Sequence, residues 1–451
     1  MTSVVIVGAG PAGLAAADAA LRAGAEVTLL DSAPQPGGQF HRMLPVAYAA
    51  THPGRVQHGW AAFDRQRARV LDHPRCTWWP DATVWALEGR RVHVLRGPVD
   101  GTGRARHVLE PDSLVLATGA HDRVLPFPGW TLPGVFTAGA AQALAKGERI
   151  AVGDRVVVAG SGPFLLPVTE ALLSAGSRVL GVFEANPATT VLRGWASRPW
   201  EVAGKAGELL GYAAGQVRHR VPYRMGHVVI AARGNGRVEE IVIARSRADW
   251  SVVPGSERRI AVDAVCVGHG FSAQLELPVA AGCALTEAGF VAVGERQETS
   301  VTGVYAAGEI TGIAGAHAAA AEGEVAGNCA AGGVPDRLAL RRTAAGQAFA
   351  ARLACAHPIG AGWRSWLTPD TVVCRCEETS YATLCAAAAD PSMMDDRALR
   401  LGTRAGLGPC QARICGPTVA ELTSSRASHR RPIAQPIRLG ELAEGARDDQ
   451  P

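Results

Sequence analysis

Four cysteines near the end of the sequence lie in two close pairs. Cys374 and Cys376 are separated by one residue in VVCRCEET, and Cys410 and Cys415 are separated by four residues in AGLGPCQARICG. Thiolates are ligands for iron and zinc, so the two pairs can bind metal if the fold brings them together. The spacing favours a 2Fe–2S cluster. Two other interpretations are not excluded. One is a tetrahedral zinc site, although C-x-C spacing is uncommon in zinc sites, and the other is unliganded thiols or disulfides.

The composition indicates a folded chain of several domains. Its 451 residues exceed one ordinary core and predict roughly three domains. Apolar residues make up 47% and charged residues 19%, and the formal net charge of +4 gives no support for nucleic-acid binding. A strand begins at Ser3, which leaves no room for a secretory signal, and the sequence predicts no transmembrane segment. We therefore expect a cytoplasmic protein whose cysteines are thiols or ligands.

A dinucleotide-binding turn is predicted at the start of the chain. The apolar run VVIV predicts a buried strand, and the pattern Gly8-x-Gly10-x-x-Gly13 follows at once. In such a turn the first glycine allows the bend, the second lets backbone approach a pyrophosphate, and the third allows close helix packing. The helix N-terminus then faces the phosphates, and Asp31 at the end of the next strand can accept hydrogen bonds from a ribose. The predicted contacts are Gly8, Gly10, Pro11, Ala12, Gly13 and Asp31.

Three later segments favour FAD as this dinucleotide. They are APQPGGQF, the strand SLVLATG and the strand TGVYAAGEITG. Their order resembles the two-dinucleotide-domain flavoprotein superfamily, which has the glutathione-reductase-like fold. The resemblance implies that the ATG strand lies beside FAD, and that the acidic residue after the late glycine binds the ribityl or pyrophosphate region. The expected FAD neighbours are Gly38, Gln39, Thr118, Gly119, Gly308, Glu309 (where aspartate is commoner) and His317.

A second turn of the same kind follows in RVVVAGSGPFLLPVTEALLSAGSRVLGVFE. Gly160 and Gly162 follow a strand and Glu184 ends the next one, but Leu165 occupies the third glycine position. A leucine there pushes the helix away from the strand, so the fold is expected while nucleotide binding is left open. Three interpretations remain: binding of NAD, binding of another adenine nucleotide such as ATP, or an empty structural repeat. Glu184 would repel a 2′-phosphate, which argues against NADP.

The predicted fold class is α/β, with two interleaved glutathione-reductase-like dinucleotide-binding domains and a small C-terminal helical domain. No cysteine pair lies near the first helix, where disulfide reductases of this superfamily carry theirs, so dithiol chemistry is not expected. The predicted boundaries are 1–150 and 269–335 for a discontinuous FAD domain, 151–268 for the second domain, 336–369 for a linker, 370–425 for a 2Fe–2S domain and 426–451 for a tail.

The cysteine motifs carry a more specific resemblance. CRCEET together with GLGPCQARICG resembles the bacterioferritin-associated-ferredoxin-like 2Fe–2S domain. Its C-x4-C variant is similar to that of the α (A) subunits of multi-subunit amino-acid and opine dehydrogenases, which include octopine and nopaline oxidases, proline and hydroxyproline dehydrogenases and hydrogen cyanide synthase. The run ATGAHDRVLPFPGWTLPGVFTAGAAQALAKG resembles a signature of the same family. The likeness covers nearly the whole chain and implies that Cys374, Cys376, Cys410 and Cys415 are cluster ligands.

This resemblance implies an electron-transfer subunit in a hetero-oligomer. In that family a partner β subunit of the D-amino-acid-oxidase type, which binds its own FAD, oxidises the substrate C–N bond, and the α subunit carries electrons onward. The resemblance also allows a small ferredoxin-like third subunit in the complex, and a peripheral position of the complex at the inner membrane. The sequence contains no recognisable nucleophile motif, paired-carboxylate motif or HExxH site, so no catalytic residue is assigned. Two alternatives remain open: a stand-alone NAD(P)H-dependent ferredoxin-type reductase, and a non-catalytic cluster-bearing scaffold or sensor.

Overall fold

The computed structural model describes residues 1–55, 57–196, 211–212, 215–393, 395–424 and 433–443. Its strands are β1 Ser3–Val7, β2 Glu26–Leu30, β3 Cys76–Trp79, β4 Ala82–Glu88, β5 Arg91–Arg96, β6 Ala105–Leu109, β7 Ser113–Leu116, β8 Ala120–Asp122, β9 Val135–Thr137, β10 Arg155–Gly160, β11 Arg178–Glu184, β12 Tyr223–Met225, β13 His227–Arg233, β14 Glu240–Arg245, β15 Arg258–Ala261, β16 Ala264–Gly268, β17 Phe271–Ala273, β18 Val304–Ala306, β19 Val372–Cys374 and β20 Thr379–Ser380. Its α-helices are α1 Pro11–Arg22, α2 Trp60–Leu71, α3 Ala138–Ala143, α4 Leu165–Ser174, α5 Ala188–Ala196, α6 Glu276–Ala280, α7 Ala316–Ala330, α8 Arg337–Ala356, α9 Tyr381–Ala388, α10 Asp396–Thr403, α11 Gly416–Thr423 and α12 Leu439–Ala443. The chain forms two compact units: Met1–Ala120 with Ala273–Ala350 and His429–Pro451, and His121–Ser272 with Ala351–Ser428.

The first unit is built on a parallel sheet with strand order β18-β7-β1-β2-β3, and it also contains the antiparallel sheet β4-β5-β6. Helices α1 and α7 pack together on the parallel sheet at very short range. A Cβ on Gly323 would lie 2.0 Å from the Ala12 oxygen, and a Cβ on Gly327 would lie 2.0 Å from the Ala16 oxygen. The alanine- and glycine-rich sequence of α7 is therefore a close helix-packing surface. Among the described residues, no helix is both long and apolar enough to cross a membrane.

The second unit contains a parallel sheet with strand order β12-β11-β10-β16-β9 and the antiparallel sheet β13-β14-β15. Strand β9 pairs in parallel with β16, so that Val135 lies opposite Val265. Residues 121–150 therefore belong to the second unit, and not to the FAD domain as predicted from the sequence. The reason for the difference is that β9 is only three residues long, and nothing in its sequence specifies which sheet it joins.

The cysteine segment belongs to the second unit and has an apolar cluster of its own. Strands β19 and β20 form a short hairpin, and helices α9, α10 and α11 follow it. The cluster contains both cysteine and aliphatic side chains: Val373, Cys374, Leu384, Leu399, Cys415 and Val419. Its likeness to a ferredoxin-type 2Fe–2S domain stays a prediction.

The described part of the predicted tail is packed into the first unit. The Ala434 amide donates a hydrogen bond to the Trp85 carbonyl at 2.7 Å. Glu441, in α12, forms a buried ion pair with Arg104, with 2.7 Å between Oε1 and Nε. Residues 433–443 are therefore held in place by both a backbone hydrogen bond and a buried charge pair. The remainder of the predicted tail lies outside the described residues.

Candidate cofactor sites

The first glycine turn is shaped by steric contacts that exclude side chains. Gly8 has φ +104°, and a Cβ at this position would lie 2.3 Å from the Ala117 oxygen. A Cβ on Gly13 would lie 1.6 Å from the Gly8 oxygen, because α1 packs directly on the turn. Only glycine fits at these two positions, so this part of the sequence pattern has a steric origin in the observed fold.

The N-terminus of α1 is suited to a phosphate group. The helix begins at Pro11, no described side chain caps it, and its first turn carries no acidic residue. Its first amides and its dipole therefore present a positive end to an anion. Gly10 precedes the helix, and a Cβ on Gly38 would lie 2.8 Å from the Gly10 Cα. The APQPGGQF segment and the glycine turn, which are separate in sequence, thus meet at this helix end.

Asp31 links the end of β2 to the same turn. Its Oδ2 accepts a hydrogen bond from the Ala9 amide at 2.6 Å, and its Oδ1 accepts one from the Ala33 amide at 2.8 Å. Burial raises the pKa of Asp31 above its ordinary value, although the two amides and the Arg42 charge lower it. Each carboxylate oxygen has two lone pairs, so each can accept one further hydrogen bond from a ribose hydroxyl.

The remaining predicted FAD neighbours of this half of the chain have different roles in the structure. The Thr118 hydroxyl donates to the Gln274 carbonyl at 2.9 Å, which fixes the end of the β7 strand segment. Gly119 has φ +76°, and no described atom lies within 4 Å of a Cβ built there, so its backbone borders open space. The Gln39 side-chain oxygen accepts a hydrogen bond from Arg42. A ligand therefore has room beside Gly119, while Thr118 is engaged with backbone.

The turn after β18 brings the late glycine to the start of α1. Gly308 has φ +86°, and a Cβ there would lie 2.9 Å from the Ala12 Cβ. Glu309 accepts a hydrogen bond through Oε1 from the Gly315 amide at 2.8 Å, at the start of α7. His317 is exposed in the first turn of α7. The late glycine therefore meets the start of α1, while Glu309 and His317 lie at the start of α7.

A buried carboxylate that no sequence motif indicates holds this late turn. Glu322, in α7, is 3% exposed, and its Oε2 accepts hydrogen bonds from the Gly308 amide at 2.8 Å and the Thr311 hydroxyl at 2.7 Å. Burial raises the pKa of Glu322 to about 7, although these hydrogen bonds lower it, and the charge of Glu309 raises it further. The one feature of the sequence that could have indicated this buried carboxylate is its position within the run of small residues HAAAAEGEVAG.

The second glycine turn has a similar backbone but an enclosed carboxylate. Gly160 has φ +141°, and a Cβ there would lie 1.8 Å from the Gly268 oxygen. Leu165, in the place of a third glycine, is fully buried at the start of α4. Glu184 is also fully buried, and its Oε2 accepts a hydrogen bond from the Gly162 amide at 2.7 Å. The amide that could face a phosphate is thus paired within the chain.

The hydrogen-bonding capacity of Glu184 is used by protein groups. Its Oε1 accepts from the amide and the Nδ2 of Asn186, both at 3.0 Å. Its Oε2 also lies 3.4 Å from His357 Nδ1, and the Tyr223 hydroxyl is a further hydrogen-bond partner. Burial raises the pKa of Glu184, but His357 and the amides outweigh it and hold the pKa below its ordinary value. Three N–H groups fill acceptor positions of Glu184 and His357 stands beside the fourth, whereas Asp31 accepts only two hydrogen bonds, so these residues fit NAD or ATP less well than the first turn fits a dinucleotide.

The fold brings the four cysteines together so that each cysteine of the first motif contacts one cysteine of the second. Cys374 is hydrogen-bonded to Cys415, and both are buried, whereas Cys376 is hydrogen-bonded to Cys410 nearer the surface. The pKa of Cys374 falls to about 5, chiefly because the Cys415 thiol donates to its sulfur, as does the Gly406 amide at 3.5 Å. Among the described residues, no group of three or more His, Cys, Asp or Glu side chains is found that could hold a metal ion. The two pairs are nevertheless neighbours, since the pKa of Cys415 is raised by its hydrogen bond to Cys374 and by burial, and also by the charges of Cys410 and Cys376.

The turn that carries Cys410 and Cys415 has an uncommon backbone. Gln411 has φ +51° and Ala412 has φ +65°, a region that residues with side chains rarely adopt. A Cβ on Gly408 would lie 2.3 Å from the Cys376 Cβ, so the two cysteine motifs are in direct contact. Backbone conformations of this cost are retained where the surroundings enforce them, and they cluster at functional sites.

Both the sequence and the fold have relatives among known proteins. Residues 2–323 match the family model described as pyridine nucleotide-disulphide oxidoreductase. The chain is 33% identical to the A subunit of opine oxidase from Rhizobium meliloti, over 98% of this chain and 87% of the relative. It is 31% identical to the HcnB subunit of hydrogen cyanide synthase from Pseudomonas aeruginosa, over 91% of this chain and 90% of the relative. The solved L-proline dehydrogenase of P. horikoshii shares the fold with a TM-score of 0.64 at 18% identity, over 98% of this chain and 79% of that chain.

Proposed function

Because this chain belongs to the pyridine nucleotide-disulphide oxidoreductase family, whose members include FAD-dependent enzymes, we propose that it is an electron-transfer subunit carrying FAD and a 2Fe–2S cluster. Its complex would be an amino-acid or opine dehydrogenase or oxidase. The likeness to named subunits of opine oxidase and of hydrogen cyanide synthase supports a multi-subunit enzyme. The observation that carries the proposal is the crossed pairing of four thiols in a chain whose first glycine turn fits FAD.

In this proposal the first unit binds FAD. Bound FAD supplies the capacity to accept and release electrons. The first amides of α1, next to Gly10, would hold the pyrophosphate, and Asp31 would accept hydrogen bonds from the ribose. Glu309 would contact the ribityl region, while Glu322 holds the backbone of the turn at Gly308. None of these residues takes part in breaking the substrate C–N bond.

The cysteine segment would bind the 2Fe–2S cluster. Each iron of such a cluster takes two cysteine thiolates, and the structure provides two pairs. Cys374 with Cys415 would hold one iron, and Cys376 with Cys410 would hold the other. The lowered pKa of Cys374 favours a thiolate, and the Gly406 amide donates to its sulfur. The pair nearer the surface would be the side on which electrons leave.

The substrate would be oxidised by a partner, a D-amino-acid-oxidase-like FAD protein, from which this chain receives electrons. The stand-alone NAD(P)H reductase is less well supported, because it needs a nucleotide at Gly162 and Glu184, where acceptor positions are occupied. A dithiol reductase is also less well supported, since Cys76 is the sole cysteine in the first 265 residues of the sequence.

The proposal is tested by comparing this chain alone with its complex. We expect no amino-acid or opine oxidation by the full-length chain alone, and dye reduction when the partner flavoprotein is present. Cys410→Ser should lower turnover of the complex by about tenfold or more, while substrate still reduces the flavin of the partner. Cys385→Ser, which alters an exposed thiol outside the two pairs, should leave turnover unchanged. Efficient oxidation by the chain alone, or full turnover with Cys410→Ser, would refute the electron-transfer role.

A further inference from the structure

The second parallel sheet has a crevice of the kind that binds ligands in doubly wound folds. Such a crevice lies outside the carboxyl ends of the strands, where the strand order reverses. In this sheet the reversal lies between β10 and β16, beside Gly160 and Gly268. We propose that this crevice is an internal docking site, which binds the chain's own segment 356–366 in place of a nucleotide and fixes the cysteine segment on the second unit. This inference does not depend on which metal the cysteines bind.

His357 covers the glycine turn of the crevice. Its Nδ1 lies 3.4 Å from Oε2 of the buried Glu184, and its carbonyl accepts a hydrogen bond from the Ser161 hydroxyl at 3.4 Å. A Cβ on Gly162 would lie 4.0 Å from His357 Cβ and Cγ. In a nucleotide-binding protein of this fold, a phosphate occupies the space above such a turn. Here an imidazole side chain stands next to the turn and pairs with the carboxylate that would otherwise bind a ribose.

Two stacked tryptophans fill the crevice on both sides of the strand reversal. Trp366 stacks on Trp250 with ring centroids 6.2 Å apart and an interplanar angle of 6°, and its Nε1 donates to the Trp250 carbonyl at 3.1 Å. Trp250 is fully buried, and its Nε1 donates to Asn186 Oδ1, after β11, at 3.1 Å. On the other side its ring centroid lies 5.9 Å from that of His269, which follows β16. Trp250 therefore fills the space between the residues that follow β11 and β16, and Trp366 of the segment covers it.

Two glycines show that the segment fits its site without spare room. A Cβ on Gly360 would lie 2.4 Å from the Asp249 carbonyl group, and a Cβ on Gly362 would lie 2.4 Å from the Ser251 amide nitrogen. The Gly362 amide also donates to the Asp249 carbonyl at 2.7 Å. An added methyl group at either glycine must displace the segment, because the atoms it meets are backbone. The contact is therefore a closely matched interface.

The docked segment in turn holds α11, the helix that follows Cys410 and Cys415 in the sequence. Trp363 is fully buried, and its Nε1 donates to Glu421 Oε1, in α11, at 2.9 Å. Glu421 also forms an ion pair with Arg123. The Thr418 hydroxyl, on the same helix, donates to the Val124 carbonyl at 2.7 Å. The cysteine segment is thus attached to the second sheet by side chains of the chain itself, and no bound nucleotide is needed for the attachment.

Nucleotide binding gives the first test. We expect the FAD-loaded full-length protein to show no saturable binding of NADH or of ATP in equilibrium dialysis up to about 1 mM, the weak limit of ordinary ligand affinity. We also expect no bleaching of the flavin by NADH. Saturable binding of either nucleotide would overturn the proposal, because the crevice would then be open to a ligand. An absence of binding supports it when combined with the second test.

The second test displaces the segment. Gly360→Ala should make proteolysis within residues 351–369 about tenfold faster or more, because the added Cβ meets backbone. The matched control is Gly211→Ala, since no described atom lies within 4 Å of a Cβ at that position. His357→Ala removes the contact with Glu184 and should also make proteolysis of this segment faster, by a smaller factor than Gly360→Ala. Its control is His219→Ala, which alters an exposed histidine. Retained FAD shows that the first unit is folded. If Gly360→Ala and His357→Ala are both as resistant as their controls, the proposal is overturned.

Discussion

Glu322 should make the stability of the protein depend on pH near neutrality. Its carboxyl group is buried in α7, and its pKa is raised from the ordinary 4.5 to about 7. Because the folded protein binds this proton more tightly than the unfolded chain does, stability falls as pH rises through this range. At about 1.4 kcal/mol for each pKa unit, the loss amounts to about 3 kcal/mol. It is absent below pH 4.5 and complete above the raised pKa of about 7.

Replacement of Glu322 by glutamine removes the titrating group and keeps an oxygen that can accept the hydrogen bond from the Gly308 amide. The assay is denaturant unfolding of wild type and Glu322→Gln between about pH 5 and pH 8. The free energy of unfolding of the variant, minus that of wild type, should rise by about 2.5 kcal/mol across this range, since a small part of the loss lies below pH 5. The control is Glu26→Gln, which alters an exposed carboxylate and should give a constant difference. A difference for Glu322→Gln that stays constant within about 0.5 kcal/mol would refute the reasoning.

Three further predictions concern the cofactors. Asp31→Ala should weaken FAD binding to the apoprotein about 10- to 100-fold, because hydrogen bonds to a charged group contribute about 1.5 to 3 kcal/mol; an unchanged dissociation constant in a flavin-fluorescence titration would contradict this. Gly13→Ala should yield protein without flavin absorbance, since its Cβ would lie 1.6 Å from the Gly8 oxygen, and full flavin content would contradict this. Cys374→Ser should lose iron while Cys385→Ser retains it, and equal iron content in the two variants would exclude Cys374 as a ligand.

The glycine turns and the cysteine motifs could be predicted because their causes are local. Gly8 and Gly13 are required by contacts within one strand–turn–helix unit, so their spacing is visible in the sequence. Asp31 follows the next strand of the same unit and meets the turn through the Ala9 amide. The C-x-C and C-x4-C motifs are also local. Which cysteine of one motif contacts which cysteine of the other depends on how the intervening helices fold back.

The features that the sequence did not predict depend on contacts between distant residues. His357 meets Glu184 only because segment 356–366 crosses the second sheet, and no pattern around either residue indicates it. Glu322 is typical of a polar residue on a helix until the packing of α7 on α1 buries it. The sheet that β9 joins is set by its pairing with β16, since three residues carry too little pattern to choose.

The central claim is that this chain carries electrons through FAD and a 2Fe–2S cluster. The most direct test is the content of FAD, iron and acid-labile sulfide in the full-length protein purified without oxygen, with low-temperature electron paramagnetic resonance after reduction. We predict bound FAD, about two irons and about two sulfides per chain, and the signal of a reduced 2Fe–2S cluster. Bound FAD without iron or acid-labile sulfide, or with zinc in their place, would contradict the account.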